Sequence, residues 1–75
     1  MDLVNLCDKL KKGTVYLKDD YEDIVLRMEA IDNSTRCFIK RRGRKEVEVN
    51  PTDKDIFESK MNGNEISKKE YEKFH

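Results

Sequence analysis

No apolar run in this 75-residue chain exceeds three residues; VYL at 15–17, IVL at 24–26 and CFI at 37–39 are the longest. Every element must therefore be amphipathic, with one side on a thin core. None can cross a bilayer, which takes about 20 apolar residues. The spacing of single apolar positions, more than their number, decides the fold.

At the N-terminus that spacing is helical. Leu3, Leu6, Cys7 and Leu10 recur at i, i+3, i+4 and i+7, which puts them on one face of a helix. Asp2 is a candidate N-cap, Lys9, Lys11 and Lys12 suit the negative end of the helix dipole, and Gly13 follows as the C′ residue. A helix of this length does not persist alone, so the leucine face must dock.

After Gly13 the period changes to two. Thr14–Lys18 (TVYLK) is a candidate short strand, followed by the acidic stretch DDYED. Ile24, Leu26, Met28 and Ala30 then alternate with Val25, Arg27, Glu29 and Ile31, the pattern of a strand with one buried face. Val25 and Ile31 leave its second face incompletely polar. Asp32, Asn33 and Ser34 supply hairpin turn residues. In the next strand, Arg36–Arg41 (RCFIKR), Cys37 and Ile39 face inward and Arg36, Phe38 and Lys40 outward. A turn around RRGR, with Gly43 free to take positive φ, leads into KEVEV, where Val47 and Val49 point inward and Glu46 and Glu48 outward.

Pro51 ends the sheet. Asn50 with Pro51 at N1, or Thr52 with Asp55, starts a short helix carrying Ile56, Phe57 and Met61, which Asn62 and Gly63 stop. Ser67 and Glu70 then form an S-x-x-E capping box, with Ile66 and Tyr71 as a hydrophobic staple and Phe74 on the same face. The expectation is a single α+β domain spanning residues 1–75. It comprises an N-terminal helix, a small antiparallel three- or four-stranded meander, and two short C-terminal helices packed on one sheet face.

Sixteen basic and sixteen acidic side chains cancel, but they are not evenly spread. Met1–Thr35 holds eight acidic and five basic residues, Arg36–Lys45 six basic and no acidic, and Glu46–His75 again eight acidic and five basic. The balance is therefore minus three, plus six, minus three. The candidate binding surface is this hairpin: Arg36, Phe38, Lys40, Arg41, Arg42, Arg44 and Lys45. Clustered cations repel one another unless an anionic partner is near. An acidic protein surface is the first expected partner. DNA or RNA is the alternative, since a basic ribbon can follow a phosphate backbone and Phe38 could stack on an unpaired base. The acidic body would repel a polyanion, which favours oriented docking on a protein. A third class is a structural or oligomerisation module, in which DDYED of one copy meets the basic hairpin of another and forms a homo-oligomer. An internal pairing of Glu46 or Glu48 with Lys40 or Arg36 would instead make the hairpin merely a solvated turn.

Catalysis is not expected. There is no Gly-rich phosphate loop and the sole histidine is the last residue, His75. Tyr16, Tyr21 and Tyr71 read as packing residues. DDYED lacks the alternating oxygens and central Gly of an EF-hand loop and reads as a solvated turn. Cys7 and Cys37 read as two reduced core thiols, with no C-x-x-C spacing for zinc, so no metal or cofactor is expected. The opening MDLVNLCDKLKK lacks the apolar stretch of a secretory signal, and a cytoplasmic location without a membrane partner is the expectation.

Overall fold

The computed structural model describes residues 1–75. Its elements run α1 (Leu3–Lys12), β1 (Val15–Asp19), β2 (Ile24–Ile31), β3 (Ser34–Arg41), β4 (Val47–Val49), α2 (Lys54–Asn62), β5 (Asn64–Glu65) and α3 (Lys68–Lys73). All strand pairs are antiparallel, in the order β4-β3-β2-β1-β5. The expected meander is present, and β5 extends the sheet to five strands. With only two residues β5 carries no period of its own; it pairs Glu65 with Leu17 and Asn64 with Lys18 where the chain leaves α2.

The alternation in the strands sorts side chains onto two faces. On the first, Leu6 of α1 and Ile56 of α2 cover Val15, Leu17, Ile24, Leu26, Met28, Cys37 and Ile39. On the second, Tyr71 and Phe74 cover Val25, flanked by Tyr16 and Ile66. Both short C-terminal helices pack on the sheet, but on opposite faces. Val25 is the reason: it is fully buried on what would otherwise be a polar face, and the α3 aromatics are what bury it.

Local signals explain most boundaries. Asp2 caps α1 through the Asn5 N–H, and Gly13 donates to the Lys9 carbonyl. Asp32 and Asn33 both take positive φ, 48° and 67°, in a two-residue turn that pairs Ile31 with Ser34. That is the geometry matching strand twist in tight hairpins. Gly43 takes φ 72°, as its place in the β3–β4 turn requires. At α3 the capping box is complete, with Ser67 accepting from the Glu70 N–H and Glu70 accepting from the Ser67 N–H.

Other expectations need correction. The N-cap of α2 is Asp53, not Asn50 or Thr52. Asn50 closes a preceding turn instead, accepting from the Thr52 N–H and hydroxyl. This register buries Ile56, Ser59 and Lys60 and turns Phe57 outward. Cys7 is exposed, because α1 docks chiefly through Leu6, while Cys37 is buried. Val47 lies on the inward face but beyond the cover of α2, and remains 51% exposed. Asp19, expected in a solvated turn, is 2% exposed and accepts from the Tyr21 and Glu22 N–H groups.

The two chain-distant ends of the first core are joined by the N-terminal ammonium. It donates to the carbonyls of Lys60, Met61 and Gly63 at 3.2, 2.8 and 2.5 Å. These are carbonyls at the C-terminal end of α2, where helix acceptors lack intrahelical partners and a positive charge is favoured. Gly63 allows this end to sit close to β1: a Cβ there would lie 3.2 Å from the Leu17 Cβ, and 2.9 Å from the Ser59 carbonyl oxygen of α2 itself. No helix is long and apolar enough to cross a membrane.

Candidate functional site

The basic hairpin forms on β3, β4 and their turn, but its charges divide by sheet face. Arg36, Phe38 and Lys40 lie on the α3 face and are all engaged. Arg36 makes a paired contact with Glu48 across the β3–β4 ladder, at 2.9 and 3.0 Å. This holds Glu48 below the usual carboxylate range and raises the Arg36 value. The ring of Phe38 carries the Arg27 guanidinium at 4.0 Å and that of Arg36 at 5.2 Å. It is already stacked by cations from within the molecule, and is no open platform for a base. Lys40 donates to the Tyr71 carbonyl and sits 4.2 Å from the centre of the Tyr71 ring.

Arg27, in β2, completes this network although the basic block does not include it. It makes a paired contact with Glu46 at 2.8 and 3.1 Å and a further bond to Glu29 at 3.2 Å. Tyr71 donates its hydroxyl to Glu46 as well. The bonds from Arg27 hold Glu46 below its ordinary value, while burial, with Glu46 beside it, pushes the Tyr71 hydroxyl up. The signal for this cluster is a cross-strand one: Arg27 pairs with Phe38 in register, and Phe38 with Glu48.

Arg42 turns back to the β1–β2 turn and bonds Asp23 at 2.7 Å, stacking over Phe74 at 4.5 Å. The hydrogen bond from Arg42 lowers the Asp23 carboxyl. Asp23 also lies 3.6 Å from the Lys18 ammonium. One link between acidic and basic segments is thus made inside a single copy.

Arg41, Arg44 and Lys45 remain. The ion pairs of the molecule take in Arg36 and Arg42 and leave these three out. With Gly43, Ile39 and Val47 they line a depression of about 320 Å³, cationic at the rim and apolar at the floor. Arg41 also borders a second hollow of about 270 Å³ between the β1–β2 turn and α2, where Asp19, Glu22, Asp55 and Glu58 gather. No group of three or more His, Cys, Asp or Glu side chains is arranged to hold a metal ion.

The cysteines are separated in chemistry as in place. Burial pushes the Cys37 thiol up to about 11, opposed by the nearby Lys60 ammonium. Lys60 itself is buried and donates to the Pro51 carbonyl at 2.8 Å. A buried thiol held protonated is a poor nucleophile. Comparison of the chain with protein-family models, characterised proteins and solved structures finds no match.

Proposed function

We propose that the protein is a small non-catalytic binding or regulatory module that docks on an acidic protein surface through the β3–β4 turn. The observation that supports this is a division of labour among the six cations of Arg36–Lys45. Arg36, Lys40 and Arg42 are satisfied internally, whereas Arg41, Arg44 and Lys45 line one depression and take part in none of the ion pairs of the molecule. An apolar floor with a cationic rim suits an acidic segment that also carries an apolar side chain. The nucleic-acid reading gains less support. Phe38 is already stacked, and Glu46 and Glu48 on its face would meet phosphate with like charge.

The test is binding to immobilised poly-L-glutamate by the wild type and by the Arg41→Glu/Arg44→Glu/Lys45→Glu variant, with circular dichroism as the folding control. Expected is wild-type binding that weakens with salt and is lost in the variant without spectral change. Equal binding by both would sink the reading. Tighter, steeply salt-dependent binding to labelled single- or double-stranded DNA or RNA would transfer the turn to nucleic acid.

A further inference from the structure

Exposed acidic and basic groups lie side by side at one end of the sheet. Asp19 pairs with Ile24, and Ile24 with Arg41, so the β1–β2 turn and the β3–β4 turn leave the same end. Their centres stand about two strand spacings apart, roughly 10 Å. The Asp23–Arg42 bond bridges them and fixes their relation. On the acidic side Asp20, Tyr21 and Glu22 are exposed. Asp20 makes a single ion pair, with Lys18 at 3.7 Å, and its side chain is 74% exposed; the Tyr21 side chain stands in solvent at 88% exposure. On the basic side is the depression with Ile39 and Val47 on its floor and Arg41, Arg44 and Lys45 on its rim.

We infer that this end of the molecule is a two-fold self-pairing surface, in which the Asp20–Tyr21–Glu22 turn of one copy seats in the cationic depression of a second copy and receives that copy's turn in exchange. The inference rests on the β3–β4 turn being a docking element and names its occupant. Both halves lie at one end, so a two-fold axis perpendicular to the strands, along the sheet normal just beyond the ends of β2 and β3, sets acid against base twice. Such a pair closes on itself, whereas complementary patches at opposite ends would build a filament. The groups nearest the axis, Asp23 and Arg42, already neutralise each other and bring no like-charge contact.

Charge alone is a weak source of affinity, because exposed ion pairs contribute little. Tyr21 supplies what charge does not. Its ring buries the exposed apolar surface of Val47, and its hydroxyl stays at the wet rim among the cations. Two otherwise unexplained exposures, Tyr21 and the 51% exposed Val47, are then covered by the same contact.

Sedimentation equilibrium of the full chain, at about 20 mM and about 500 mM salt, tests the inference. Expected is a reversible dimer at low salt whose dissociation constant rises at least tenfold at high salt. Asp20→Lys/Glu22→Lys and Arg44→Glu/Lys45→Glu should each be monomeric with unchanged circular dichroism. Their equimolar mixture should recover dimers, because one then carries only cationic turns and the other only anionic ones. Tyr21→Ser should weaken the wild-type dimer at least tenfold. A wild type that stays monomeric at low salt, or a mixture that fails to associate, overturns the inference. If the wild type is monomeric yet its poly-L-glutamate binding disappears in the Arg41→Glu/Arg44→Glu/Lys45→Glu variant, the self-pairing fails and the docking role stands. If that binding is also unchanged, both fail.

Discussion

Glu46 is held from two directions, by the paired bonds of the Arg27 guanidinium and by the Tyr71 hydroxyl. Its carboxyl is lowered from an ordinary value of 4.5, so the folded state binds the proton less readily than the unfolded one. The stabilisation is complete above that ordinary value and is lost as pH falls through the lowered one. Glu46→Gln should therefore lower stability by about 1 kcal/mol at neutral pH. The gap from wild type should close as urea titrations are carried from pH 6 to pH 3; a gap constant with pH would assign Glu46 no electrostatic role. Tyr71 works at the other end of the scale. Its raised value means that its contribution holds below the ordinary tyrosine range and fades as pH rises through the elevated one. The cysteines give a second residue-level prediction. A thiol reagent on the native protein should titrate one group quickly, Cys7, and the second only as the chain unfolds. Two equally fast thiols would contradict the burial of Cys37. Alternation made Cys37 readable, since a strand has two sides and its neighbours Ile39 and Val49 share one. Cys7 was misplaced because a helix stripe gives a direction without saying how many of its residues the partner covers.

Among the elements, those specified by near neighbours in the chain were the legible ones. The capping box of α3, the Asp32–Asn33 turn and the Gly43 turn each depend on groups within a few residues. The start of α2 was not legible: Asn50, Thr52 and Asp53 are all competent caps, and only docking of Ile56 on the sheet selects Asp53. The strand β5 was beyond reach, because its pairing comes from the route of the chain after Gly63. At the hairpin, the segment and the pairing of Glu48 with Arg36 were found from sequence; the Arg42 bond was not, since its anion, Asp23, comes from the β1–β2 turn nineteen residues earlier. The end of α2 offers a prediction of its own. Acetylating the N-terminal amine removes the charge and two of the donors that reach Lys60, Met61 and Gly63. The loss should be about 1–2 kcal/mol, on the scale of hydrogen bonds from a charged donor. Comparing urea midpoints of the free and acetylated chains measures it, and equal midpoints would show the contact to be idle.

As a whole, the molecule is a sheet with a larger core on one face and a smaller one on the other. A domain of 75 residues has about 4–11 kcal/mol of stability in total. Leu26→Ala, at the fully buried centre of the larger core, should remove about 2–5 kcal/mol and unfold the chain globally at much lower urea. Phe74→Ala should act differently. Without Phe74 the six-residue α3 loses much of its anchorage and cannot persist alone. Amide exchange should then quicken in Lys68–Lys73 while β1–β3 stay protected; uniform acceleration would show that the two faces fold as one unit. The β2–β3 hairpin has a further use. β1 pairs only as far as Met28 and β4 only as far as Cys37, so Glu29–Arg36 overhang the sheet and end at Asp32–Asn33. The eight residues of β2 carry that tip roughly 25 Å from the charged end, most of the 32 Å long axis. A fluorophore attached at Asn33 would sit clear of both cores and of both charged turns, and would report tumbling of the molecule before and after it finds a partner.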